Sequence, residues 1–168
     1  MSRNNDSLIV RTKDAKQTRD LGQRLGRALK GSDIVCLYGN LGSGKTTLTQ
    51  GIARGAGYRG RVMSPTFGLA RVYKGKKWLV YHLDLYRVAA GETGDIGIED
   101  YVGDPHGICI VEWPEAGVVY YPRDRIEVRL SHGRGGLSRR LVFSARGPRS
   151  RGILKQMRLR PHEGGGIL

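Results

Sequence analysis

The chain has 168 residues, enough for one domain with a substantial core, and 39% of them are hydrophobic, which excludes a disordered tail. Lysine and arginine number 29 against 15 acids, a net charge of +14, and such a balance favours polyanionic partners. No apolar run approaches the roughly 20 residues of a membrane span, and the opening residues MSRNNDSLIV lack the cationic start and apolar stretch of a secretion signal, so the expected location is the cytoplasm.

Residues 8–12, LIVRT, read as a short strand. Over 14–29, Leu21, Leu25, Ala28 and Leu29 recur at helical spacing, and Gly31 supplies a stop. DIVCLYG at 33–39 is continuously apolar, the pattern of a strand buried on both faces. A glycine-rich loop follows, then a helix from Thr46 to Ala56 with Leu48, Ile52 and Ala56 on one side. Gly55 to Gly60 fits the spacing GxGxxG but closes a helix instead of opening one, so it reads as a glycine stop and not a dinucleotide fingerprint. Phe67–Tyr73 and Lys77–Tyr86 form a hairpin across Lys74-Gly75-Lys76. Ala89 to Tyr101 suits a loop with a short helix, and GICIVEW at 107–113 is a second buried strand. The alternating runs 125–130 and 139–145 predict strands with one wet face, joined by the loop 131–138. Cys36 and Cys109 lie in apolar runs and read as reduced core thiols. The expectation is a single α/β domain over 1–160, with parallel core strands, antiparallel additions and flanking helices, followed by a flexible glycine-rich tail at 161–168.

The chemistry concentrates at Gly39-Asn40-Leu41-Gly42-Ser43-Gly44-Lys45-Thr46, which fits the phosphate loop GxxxxGK followed by Ser or Thr. Glycines let successive N–H groups turn inward around phosphate oxygens. The reading assigns Asn40, Leu41, Gly42, Ser43, Gly44, Lys45, Thr46 and Thr47 to ATP or ADP, with Lys45 reaching the terminal phosphates and Thr46 ligating Mg²⁺. The helix after the loop directs its positive end at the same anion. Such a site also needs an acid for Mg²⁺. Glu112, at the end of Ile108-Cys109-Ile110-Val111, is the first candidate, because a carboxylate closing an apolar strand needs a partner or a metal; Asp84 is the second. His82 reads as a hydrogen-bonded structural residue, and Tyr73, Tyr81 and Tyr86 as sheet packing.

The blocks LYGNLGSGKTTLTQGIARGAG, SPTFGL, VYHLDLYR, GIEDY and IVEWPE, in that order between about Thr12 and Leu130, resemble the bacterial TsaE family. The resemblance implies a P-loop NTPase-like fold and an Mg²⁺-dependent ATPase, slow alone and stimulated by partners. Its setting is the synthesis of threonylcarbamoyladenosine at position 37 of tRNA, with a TsaB–TsaD heterodimer as partner. It also implies catalytic roles for Lys45, Asp84, Glu112 and Thr66, the last in a switch-like Ser64-Pro65-Thr66 loop, metal roles for Thr46 and Glu112, and places Lys16 and Thr18 near the nucleotide base. The segment 89–95, with two glycines, departs from the family's Glu- and Leu-rich helix. A small-molecule or nucleoside kinase on the same fold is the alternative. Between Arg123 and Arg160 stand 12 basic residues and two acids, Asp124 and Glu127, which reads either as a solvated basic surface or as a salt-sensitive tRNA contact.

Overall fold

The apolar runs pair as one seven-stranded sheet in the order β1-β7-β6-β2-β5-β4-β3. The structure is a computed structural model and describes residues 6–65, 68–89 and 97–159. Its strands are β1 (Ser7–Thr12), β2 (Ile34–Tyr38), β3 (Ala70–Lys74), β4 (Leu79–Asp84), β5 (Gly107–Glu112), β6 (Ile126–His132) and β7 (Arg139–Ala145). The helices are α1 (Ala15–Ala28), α2 (Lys45–Gly55), the single turn α3 (Tyr86–Ala89) and α4 (Pro148–Leu159). β6, β2, β5 and β4 run parallel, while β1, β7 and β3 join them antiparallel. The expected hairpin is β3–β4, but its strands are shorter than the apolar runs. Gly75 N–H bonds to the Trp78 carbonyl at 3.1 Å and closes the turn, so β4 starts only at Leu79. Phe67 and the residues of the departing segment 90–95 lie outside the described residues, as does the tail 161–168.

Alternation along the core strands serves two faces. Val35, Leu37, Ile108 and Ile110 pack with Leu21, Leu25, Leu48, Ile52, Ile153 and Leu154 from the helices. Ile34, Cys36, Cys109 and Val111 pack on the other side with Leu85, Ile98 and Tyr121, beneath the 3₁₀ turns Ile98–Asp100 and Pro114–Tyr120. Both faces are covered, which is why these strands read as unbroken apolar runs. Cys36 and Cys109 are free and buried, and burial pushes the Cys36 thiol up to about 12. α1 and α2 lie backbone to backbone. A Cβ on Gly26 would stand 2.1 Å from the Ile52 carbonyl oxygen, and one on Gly51 would stand 2.1 Å from that of Arg19, so only glycine permits the contact.

Two features of the C-terminal third correct the sequence reading. β6 does not keep one wet face over its first half: Glu127 is only 4% exposed. Arg125 and Arg146 reach it at 2.7 and 2.6 Å. Burial alone would raise the Glu127 carboxyl, but the bonds from Arg146 and Arg125 outweigh it and hold the group below the usual glutamate range. The stretch after β7 also holds a helix that the sequence reading lacks. Ser150, Ile153, Leu154 and Met157 of α4 are buried at i, i+3, i+4 and i+7. Asp124 accepts the first-turn N–H groups of Arg149 and Ser150 at 2.7 and 3.0 Å. Arg149 in turn bonds Asp33 and the last carbonyl of α1, at Ala28, both at 2.8 Å.

Candidate functional site

The site forms where β2 leaves the sheet and α2 begins. Gly39 turns at φ 152°, and a Cβ there would lie 2.5 Å from the Ser43 hydroxyl and 2.6 Å from the Leu130 carbonyl oxygen. Gly44 caps α2 in the left-handed region with no side chain bonding to the first turn. The opening N–H groups of α2 therefore face outward with the helix dipole behind them, which is an anion site by construction. Beside the loop a cleft of about 350 Å³ is lined by Tyr38, Asn40, Ser43, Trp113, Arg129 and His132, among others. Ser43 is 1% exposed, and its hydroxyl has no partner among the described residues.

Lys45, the first residue of α2, is 5% exposed. Its ammonium donates to the carbonyls of Gly39 at 2.5 Å and Asn40 at 3.1 Å, and sits 4.1 Å from the centre of the Trp113 ring. Burial draws this lysine below its usual range, while Glu112 and Asp84 oppose that shift. Trp113 occupies φ 55° and ψ 55°, a left-handed conformation rare for a bulky residue, and its ring also meets Tyr86 at 4.9 Å. Backbone strain of this kind concentrates at functional sites.

Glu112 closes β5 with only 3% of its surface exposed. Thr46 donates its hydroxyl to both carboxylate oxygens at 3.1 Å, and the Thr49 hydroxyl, one turn on, is shared between the Lys45 carbonyl at 3.0 Å and Glu112 at 3.2 Å. His82, fully buried on β4, meets the same carboxylate at 2.9 Å through Nε2. Since the carboxylate accepts, Nε2 carries the hydrogen, and Nδ1 has no partner among the described residues. His82 is thus structural in a specific sense: it orients Glu112. Asp84 ends β4 directly beside Glu112, the two being register partners. It accepts from the Ser64 hydroxyl at 2.6 Å and from the Tyr86 N–H at 3.1 Å. The segment before β3 is thereby tied to the carboxylate pair.

The structure brings Asn40, Gly42, Ser43, Gly44, Lys45, Thr46, Glu112 and Asp84 to one end of the parallel strands, and the exposed Leu41 and half-buried Thr47 belong to the same loop and helix start. Thr66 lies outside the described residues. Lys16 stands apart: it pairs with Asp20 at 2.7 Å on α1 and lines a second cleft, not the one at the loop. Thr18 is buried and bonds Thr12 at 2.8 Å, a structural contact. One loop residue's partner escaped the sequence reading. Arg139 of β7 donates from Nε to the Ser43 carbonyl at 3.0 Å and from its terminal nitrogen to the Gly42 carbonyl at 3.2 Å. It clamps the outer side of the loop. Nothing local in the sequence marks it, since it lies 96 residues from Ser43.

A family profile described as "Threonylcarbamoyl adenosine biosynthesis protein TsaE" matches residues 12–141. A Streptomyces coelicolor protein named tRNA threonylcarbamoyladenosine biosynthesis protein TsaE is 40% identical over 121 residues, spanning 70% of this chain and 80% of the relative. A Bacillus subtilis protein of the same name is 33% identical over 139 residues, 83% of this chain and 86% of the relative. The crystal structure of Bacillus subtilis YdiB aligns with a TM-score of 0.78 and 26% identity, covering 91% of this chain and 95% of that one.

Proposed function

The chain belongs to the TsaE family, and from that premise we propose that it is an Mg²⁺-dependent ATPase working with a TsaB–TsaD pair in making threonylcarbamoyladenosine on tRNA. Its membership makes it a P-loop nucleotide-binding protein of that pathway, and the kinase alternative is not favoured. The observation that carries the ATPase reading is the direct contact of Thr46 with Glu112, beside Lys45, at the open N-terminus of α2.

The loop N–H groups and Lys45 bind and orient the β- and γ-phosphates. Among the described residues no group of three or more His, Cys, Asp or Glu gathers to hold a metal. The Thr46 hydroxyl and the Glu112 carboxylate, in contact at the open end of α2, are the residues that would hold Mg²⁺, an ion suited to a site with few protein ligands. Mg²⁺, when bound, neutralises charge on the phosphates. His82 and Thr49 hold the Glu112 carboxylate in place for that role. Asp84, bonded to Ser64, ties the start of the segment before β3 to the carboxylate pair, which supports a role for Asp84 in turnover. Trp113 shields Lys45 from water on one side, which strengthens its attraction for phosphate. Slow turnover alone and stimulation by partners follow if a partner completes the transition-state charge.

Glu112→Gln tests the reading. The variant should bind ATP with near-normal affinity without Mg²⁺, lose most of the Mg²⁺-dependent gain, and lower hydrolysis about 10–100-fold in the presence of the partner pair. An unchanged Mg²⁺ titration would move the metal role to Asp84.

A further inference from the structure

Open cations are scarcer in the stretch 123–160 than its sequence suggests. Arg125 and Arg146 pair with Glu127, Arg149 with Asp33, and Arg151 with Asp6. A second group of cations without ion pairs among the described residues lines one concave surface elsewhere. A cleft of about 450 Å³ runs along α1 and α2, walled by Lys16 and Arg19 of α1, Arg54 of α2, and Arg59 and Arg61 of the segment that follows, with Asp20 the one acid among the described residues that line it. None of the residues lining it also lines the cleft at the phosphate loop. Arg19, Arg54, Arg59 and Arg61 are exposed and have no ion pair among the described residues.

The fold explains the concentration. α1 and α2 meet through backbone at Gly22, Gly26, Gly51 and Gly55, so side chains from both helices and the next segment share one concave floor. The acid that does reach it, Asp20, is already bonded to Lys16. Four unpaired arginines this close repel one another in the free protein, and a string of anions relieves that repulsion as no single anion of ordinary charge does. The guanidinium fork matches phosphate oxygens in pairs. Tyr58, half-buried in the same wall and 4.8 Å from Tyr73, adds an aromatic surface of the kind on which bases stack.

We propose that the α1–α2 cleft docks the phosphate backbone of an RNA strand without preference for base sequence. The choice of RNA over another polyanion rests on the pathway proposed above; the cleft and its charge do not.

The full chain is titrated with a labelled tRNA transcript and with a short oligouridylate, by anisotropy across a salt series. Four phosphate contacts, one for each unpaired arginine, give a log–log slope of about −2.8, at about 0.7 per contact for a single strand. Arg19→Gln, Arg54→Gln, Arg59→Gln and Arg61→Gln combined should flatten it toward zero and weaken binding at low salt at least about tenfold. ATP binding, followed in the same preparations, should stay at the wild-type level; its loss in the unsubstituted chain would count against the nucleotide reading and not against the cleft. The matched control removes as much charge elsewhere, at Arg123, Arg134, Arg140 and Lys155, each changed to Gln. Equal weakening in this control would overturn the cleft in favour of net charge. Polyglutamate that binds as tightly as RNA, and is lost in the cleft variant, would overturn RNA in favour of an acidic protein segment. No retention of either RNA at low salt would overturn the proposal outright.

Discussion

Two regions of this molecule are rich in arginine and use it in opposite ways. In the C-terminal third, four guanidinium groups serve the fold and the loop: Arg125 and Arg146 enclose Glu127, Arg149 joins α4 to Asp33 and α1, and Arg139 clamps the phosphate loop. Along the α1–α2 cleft, Arg19, Arg54, Arg59 and Arg61 stand exposed without an ion pair among the described residues. A count of charge ranks the first region higher, because acids are few there. Pairing narrows that lead, since a cation already bonded to a buried carboxylate must break that bond before it meets a ligand. The same contrast separates Lys45 from its neighbours. Its bonds are to carbonyls and an aromatic face, with no carboxylate among the described residues pairing with it directly.

The largest effect tests that last distinction. Lys45→Ala should lower ATP hydrolysis by about 10² or more, the scale on which loss of one preorganised donor to a charged transition state is felt. RNA retention at the α1–α2 cleft should be unchanged. Hydrolysis is measured by phosphate release with the partner pair present. A wild-type rate would remove the phosphate loop from the reaction, and a parallel loss of RNA binding would join two sites that the structure keeps apart.

Arg139→Ala sharpens the comparison from the other side, because it is a basic-region residue assigned to the nucleotide. Two charge-assisted bonds to the loop carbonyls disappear, each worth about 1.5–3 kcal/mol when dry. Arg139 is only half-buried, and water replaces part of that, leaving a loss of roughly tenfold in ATP affinity. Isothermal titration with a non-hydrolysable analogue measures it. Arg139 also bonds the carbonyls of Gly136 and Ser138 at 2.7 and 2.9 Å. An unchanged affinity would reduce it to a tether of its own hairpin.

What was legible in the chain divides along the same line of local against distant. The phosphate loop is a run of neighbours, so its strand, its turn and its helix appear together in the sequence. Glu112 and Asp84 were legible because each carboxylate closes an apolar strand, and their parallel register then places them side by side. Their partners were not: Thr49 lies 63 residues from Glu112 and His82 lies 30. No pattern within one strand reports such a pairing. α4 was hidden for a different reason. Arginines and Gly152 fill its outer side, and the buried positions Ser150, Ile153, Leu154 and Met157 are too few and too mixed to dominate the stretch. β6 misled because Glu127 looks like a wet-face residue until Arg125 and Arg146 close over it. Glycine ordinarily weakens a helix interior, but the glycines of α1 and α2 form the contact surface between the two helices.

The smallest effect concerns stability, and it decides whether the inward-turned arginines belong to the fold. Glu127 is buried, and its carboxyl is held below the usual range by Arg146 and Arg125 against the opposing pull of burial. A folded value below the unfolded one, about 4.3, means the unfolded chain binds more protons in the interval between them. Stability from this group is therefore fully present above about pH 4.3 and is lost as pH falls through the lower folded value. Glu127→Gln removes the charge at every pH. Urea midpoints at neutral pH should show the variant less stable by about 1–3 kcal/mol, the range for a buried group whose charged partners are lost. On acidification the wild-type midpoint should fall toward that of the variant, and the gap should close. ATP affinity and RNA retention at neutral pH should match the wild type, because neither cleft includes Glu127. A gap that stays constant into acid would mean the ion pairs add nothing through charge. Strengthened RNA retention in the variant would instead place the freed Arg125 and Arg146 on the binding surface and break the contrast between the two regions.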